Sequence, residues 1–270
     1  AALLSAMAGA LVAAMTVLGR WDRLALALGL LGLAGGLWLL AWHHLRARAA
    51  QGRQAMYPVA LLGQRALWTG TLMTVCYASA NGSFLVIFNV GLQHGRGHSA
   101  FEAGLLHLPF SLGVMAGVTL LARRWLVRHG RRVLAGGAVL AALGGSAVMT
   151  VLAMRGWPVA WALPAIVVAG VGVGLTSSSV APVTLAWVDV RHAGMAAATL
   201  RLGQQVGAAL GSAVIVRPYF AQQGSVSGGS SHWGEIAAIA PLLALLGLAA
   251  LLALTLPLPL FPPPGGAARR

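Results

Sequence analysis

Apolar runs long enough to cross a bilayer recur along this chain almost from end to end, parted by short turns that carry its arginines. In hydrocarbon a helix satisfies its own backbone, and a crossing helix needs about 20 largely apolar residues. The runs predict membrane helices at roughly 2–18, 24–42, 67–92, 102–122, 133–154, 160–187, 194–217 and 236–258, with ends loose by a few residues. The expected fold class is therefore an all-α integral membrane protein, a polytopic helical bundle of about eight transmembrane helices. Composition agrees: 59% of residues are hydrophobic, 8% are charged and the mean hydropathy is +0.83, whereas soluble domains carry about 25% charged residues.

The run Gly194–Val216 departs from the others, because Arg201, Gln204 and Gln205 interrupt it. At helical spacing these three share a face with Ala208 and Ser212. Gly203, Gly207 and Gly211 recur every fourth residue on another face, the small-xxx-small pattern that lets backbones approach closely in lipid. A polar face inside a membrane must look at a bundle interior, a cavity or a partner. What it looks at is the functional question this sequence poses.

The net charge of +14 would point to nucleic acid on a soluble protein, but here the charges sit in short turns, and topology explains them better. All 18 basic residues are arginine, which with the abundant Ala and Gly fits a GC-rich bacterial genome. Twelve arginines fall on one side: those of 46–65, 123–132, Arg191 and the C-terminus. Five (Arg20, Arg23, Arg96, Arg155 and Arg217) fall on the other, and Arg201 lies within a helix. The positive-inside bias puts the C-terminus in the cytoplasm of a bacterial inner membrane protein. Cys76 is single, so no disulfide or cysteine-based metal framework is expected. The chain starts AALLSAMAGA, without Met or a basic leader, and is expected to enter its first helix partway along.

Local signals add detail. Ser99 and Glu102 have capping-box spacing, and Pro109 should bend the helix that follows. Pro164 and Pro182 predict kinks in the 160–187 helix, and its glycine run 170–174 predicts close packing rather than a phosphate loop, since no Lys-Ser/Thr follows. Asp189 reads as a local cap or a partner of Arg191. His94 and His98 are separated by glycines that make a helical metal pair improbable. The tail LPLPLFPPPGGAARR is expected to be disordered.

Three stretches then resemble the C-terminal part of the fourteen-helix drug:proton antiporters of the major facilitator superfamily, the EmrB/QacA type. They are Leu92-Gln93 with Gly97, Ser99, Ala103-Gly104-Leu105 and Pro109; Arg128-His129-Gly130-Arg131-Arg132; and Gly170-Val171-Gly172-Val173-Gly174 followed by Ala193-Gly194-Met195-Ala196, Gln205-Val206-Gly207 and Gly211-Ser212-Ala213. The order and spacing of these motifs carry the resemblance. In the arginine-rich motif Val127 stands where the fuller version has Asp.

The resemblance implies two linker helices and a cytoplasmic loop at 1–66, a six-helix C-terminal bundle at 67–258 and a cytoplasmic tail at 259–270. It also implies a preceding six-helix half outside this sequence. The implied function is proton-coupled efflux of small amphipathic drugs by alternating access, with no cofactor and no metal. The partners would be a small-molecule substrate, protons, the lipid bilayer and the N-terminal half, and not nucleic acid.

Asn81, Asn89, Arg201, Gln204 and Gln205 are the candidate polar lining of a midplane cavity. Each also has a structural reading: Arg201 can snorkel to the headgroups, and the amides can bond between helices. Arg128, Gly130, Arg131 and Arg132 form a candidate gating loop by the resemblance, or a topogenic cluster by charge alone. No acid sits mid-helix, so proton uptake is expected outside this segment. Two alternatives are a non-transporting membrane remnant and a membrane-embedded enzyme acting on lipid-linked substrates. The second needs clustered acids or histidines, and four dispersed acids argue against it.

Overall fold

A computed structural model describes residues 63–154, 157–216 and 233–256, together with Gly36, Leu40, Leu61 and Tyr219. The expected helix at 2–18, that at 24–42 apart from Gly36 and Leu40, the linker before Leu61 and the tail at 259–270 lie outside the described residues. What is described is all helix. In chain order, α1 is Arg65–Val90, α2 Ala100–Leu106, α3 Leu108–Ala116, α4 Arg123–Ala153, α5 Leu163–Leu185, α6 Ala193–Gly211 and α7 Trp233–Leu254. Wider π-helical turns extend α1 over Gly91–Gly95, α3 over Gly117–Ala122 and α6 over Ser212–Val216.

Among the described residues, four stretches are long and apolar enough to cross a membrane: Arg65–Gly95, Ala100–Leu120, His129–Ala153 and Val159–Leu185. Ala238–Leu254 is a shorter apolar helix. The α6 helix is not among them, because Arg201, Gln204 and Gln205 dilute its apolar character.

The helix ends follow local chemistry. Ser99 caps α2 by accepting from the Glu102 N–H, and the Glu102 carboxylate accepts from the Ser99 N–H at 2.8 Å, completing the expected box. The interruption expected from Pro109 falls at His107, and Pro109 then sits in the first turn of α3. A proline there displaces no intrahelical bond. Pro164 likewise opens α5 instead of kinking it, while Pro182 lies inside that helix, in its last turn. Asp189 accepts from the Arg191 N–H at 2.9 Å, the local cap of the two readings.

The largest departure from expectation is at 123–132. Their arginine density predicts a loop, but they form the start of α4, broken only at Gly130, where φ is 24° and ψ −92°. Only glycine takes that conformation without a Cβ penalty. Charge marked the segment as a turn, yet nothing in it except Gly130 breaks a helix.

Packing runs from α3 to α5, α5 to α4, α4 to α7, α7 to α1 and α1 to α6, with α1 also touching α5. The core lies between α1, α4, α5 and α7, around Phe84, Phe88, Met149, Ile166 and Leu242. Phe84 stacks on Phe88 and leans on Phe110, each pair 5.9 Å apart. The α2–α3 span is peripheral: only 22% of it is buried, against 50–61% for the other three spans.

The glycine run of α5 does what its spacing predicts. A Cβ on Gly170 would strike the Phe110 carbonyl oxygen and one on Gly174 that of Val114, while Gly113 and Gly117 face the carbonyls of Val167 and Val171. On its other side Gly172 meets the α4 backbone at Gly137 and Ala141, and Gly144 meets Ala165 and Ala169. Thus α5 is held backbone to backbone by α3 and α4.

Candidate functional site

The α6 helix is fastened to α1 along its glycine face. A Cβ on Gly207 would strike the Val75 carbonyl oxygen, one on Gly211 would strike that of Ser79, and one on Gly203 would come within 3.0 Å of Thr71. Ser79 adds a polar stitch, its hydroxyl lying 2.7 Å from the Gly207 carbonyl oxygen and 2.8 Å from that of Val75. With this face spent on α1, the remainder of α6 turns away from the bundle.

That remainder carries the polar residues. Arg201, Gln205, Ala208 and Ser212 are exposed and Gln204 is half-buried. Arg201 donates from Nη1 to Gln204 Oε1 at 3.0 Å. The guanidinium has five donors, so this bond leaves most of its capacity directed outward. Gln205, one residue on, has no partner among the described residues. The face can therefore offer hydrogen-bond donors and acceptors and one positive charge to whatever lies against it.

The two asparagines sit elsewhere. Asn81 lies on the side of α1 that looks inward, against a recess of about 10 Å³ lined by Tyr77, Phe84, Ala141, Val173 and Leu246 among others. Such a recess has room for about one water, far below the roughly 300–1,000 Å³ of drug-sized sites. The buried Asn81 Oδ1 has no partner there. Asn89 is half-buried and donates to the Leu85 carbonyl of its own helix at 3.0 Å. So Arg201, Gln204 and Gln205 come together, whereas Asn81 and Asn89 belong to different surroundings.

Of the candidate gating residues, Gly130 is the kink in α4. Arg131 donates to the Leu254 carbonyl at the end of α7, at 3.2 Å, and Arg132 is exposed. The Arg128 side chain lies outside what is described.

Two arrangements were not anticipated from sequence. The buried Tyr77 hydroxyl donates across from α1 to the Val173 carbonyl of α5 at 3.2 Å. Arg96, counted only as a loop charge, closes the C-terminal end of α4. It donates to the carbonyls of Val151 at 2.6 Å, Met154 at 2.8 Å and Trp157 at 2.7 Å. The last carbonyls of a helix lack intrahelical donors and form the negative end of its dipole, so a guanidinium there answers both. No local spacing in the sequence signals this, since 55 residues or more separate the partners.

The helices thus define a multi-pass membrane protein whose polar face lies on the outside of its bundle. No family model matches the chain. It is 30% identical over 207 residues to the "Probable actinorhodin transporter" of Streptomyces coelicolor, a match covering 76% of this chain and 36% of that protein. It is 31% identical over 224 residues to a puromycin resistance protein of Streptomyces alboniger, covering 73% of this chain and 44% of that one. A cephamycin export protein of Amycolatopsis lactamdurans is 30% identical over 222 residues, with 80% and 44% covered. Over about three quarters of its length, then, the chain is homologous to bacterial drug exporters of the major facilitator superfamily, as its motifs implied. It spans less than half the length of each of these relatives. None of the three is named for an enzyme.

Proposed function

We propose that the chain is the C-terminal portion of a proton-coupled exporter of small amphipathic compounds that works by alternating access. In this reading eight helices are present. Two linker helices occupy 1–66, a six-helix bundle occupies 67–258, and a tail at 259–270 ends in the cytoplasm. A six-helix N-terminal half, which also carries the proton-coupling acids, completes the transporter. The arginine asymmetry supports the orientation, and the drug-related names of the relatives support the substrate class.

The observation that carries the reading is the exposed Arg201–Gln204–Gln205 face of α6. Lipid cannot solvate it, and the helix's other contacts are already taken by α1. A substrate path shared with the other half gives these groups polar company. Arg201, seven residues along from Gly194, sits about 10 Å in from that end of the helix, between the headgroups and the midplane.

The test is Gln204→Leu with Gln205→Leu in the full-length transporter, scored by drug resistance and membrane abundance. We expect resistance to be lost at unchanged abundance. Unchanged resistance in the double variant rules the lining assignment out.

A further inference from the structure

One side of α4 carries a groove that lies apart from the polar face of α6. Trp125 and His129 precede the break at Gly130, and Arg132, Gly136 and Leu140 follow it at helical spacing. With Val133 and with Leu175 of α5 they line an open groove of about 380 Å³. Its upper end is polar and aromatic: Trp125, His129 and Arg132 are all exposed. Its lower end is apolar, and Gly136 leaves it unobstructed, because a Cβ there would meet nothing within 4 Å. From Arg132 to Leu140 the groove follows the helix for about 12 Å.

The charge balance of this end is one-sided. No Asp or Glu occurs anywhere between Glu102 and Asp189, so neither α4 nor α5 offers a carboxylate. Arg131 is committed to the Leu254 carbonyl, whereas Arg132 has no partner among the described residues. Arg123, Arg124 and Arg128 precede it in the same stretch.

We propose that this groove seats one anionic phospholipid from the leaflet on the arginine-rich side. The phosphate lies at Arg132, whose planar fork suits two phosphate oxygens, with the His129 ring supplying a further N–H. An acyl chain runs down the groove over Val133, Gly136, Leu140 and Leu175. Trp125 marks the headgroup level, where tryptophan is enriched in membrane proteins. Basic pockets between helices on the cytoplasmic side recognise anionic headgroups by this chemistry. A zwitterionic lipid would leave the excess positive charge unanswered, and a free phosphate would leave the apolar slot empty. The inference requires only that the chain spans a membrane, and it stands apart from the transport reading.

The experiment is native mass spectrometry of the detergent-purified chain with dioleoylphosphatidylglycerol, dioleoylphosphatidylcholine or glycerol phosphate. Phosphatidylglycerol should be retained at least about five-fold more tightly than phosphatidylcholine, the ratio expected for one basic residue near a surface charge. Arg132→Gln should remove that preference and leave phosphatidylcholine retention unchanged. Gly136→Leu, whose Cβ would meet nothing within 4 Å and whose side chain enters the slot, should weaken both lipids. Equal retention of the two lipids by the unaltered chain overturns the proposal. So does phosphatidylglycerol binding that survives Arg132→Gln, or glycerol phosphate bound as well as the lipid. If Gly136→Leu does not accumulate, the Arg132→Gln comparison decides alone. A negative result here with lost resistance in the glutamine double variant removes the lipid site and leaves the transport reading intact.

Discussion

Two seams of the bundle are built alike and serve different ends. Along α3–α5 and along α1–α6, glycines at four-residue spacing bring one backbone onto the next. The outward faces differ. That of α2 and α3 presents Leu105, Leu108, Leu112 and Met115, side chains that lipid tails accept at no cost. That of α6 presents Arg201, Gln205 and Ser212, which lipid does not accept. The seam therefore states how a helix is held, and only the opposite face states what it is held up to.

The comparison can be broken most forcefully by exchanging the faces. Leu112 is 60% exposed on α3. Leu112→Arg should cost about 2.5–3.5 kcal/mol of insertion free energy at a helix centre, read as a lower inserted fraction in a membrane-integration assay. If Leu112→Arg inserts as well as the parent chain, that face is not against lipid, and the contrast with α6 falls.

Next in size are the seams themselves. Gly207→Leu and Gly170→Leu each drive a side chain into a neighbouring carbonyl that cannot swing aside. Overpacking of this kind costs about 1–3 kcal/mol, sometimes more. Both should lower the thermal midpoint of the purified protein, while Gly247→Leu, at an exposed position whose added Cβ would meet nothing within 4 Å, should leave it unchanged. A similar drop at all three positions would show that the cost belongs to helix propensity or surface change and not to the seams.

The smallest effect should come from the stitch between α1 and α6. Ser79→Ala removes the hydroxyl near Gly207, worth about 0.6 kcal/mol for an average interhelical bond in a membrane protein. Circular-dichroism melts should place it well below Gly207→Leu. A loss as large as the glycine variant's would mean that hydrogen bonding, not close approach, holds α6.

The parts of this fold that were legible in sequence are those fixed by one helix acting alone. The glycine faces of α5 and α6, the Ser99–Glu102 box and the polar stripe of α6 all follow from spacing within a single element. What was not legible depends on how one helix is turned against another. Asn81 and Arg201 both interrupt apolar helices, but only contact with α4, α5 and α7 sends the asparagine inward to a recess of water size. Arg96 gave no local sign of closing α4, because its acceptors are carbonyls and belong to no residue type. The stretch 123–132 misled because arginine density reports which side of a membrane a segment occupies and says nothing of its backbone.

The glycine seams also bear on mechanics. A contact made by side chains can yield through rotamer changes, but Gly113, Gly117, Gly170, Gly172 and Gly174 leave main chain resting on main chain, with no torsion free to absorb a push. A push on α3 along this contact therefore meets the α5 backbone directly, and through Gly172 that of α4. Among the described helices, the most direct backbone contacts are made where one of the two facing residues has no side chain.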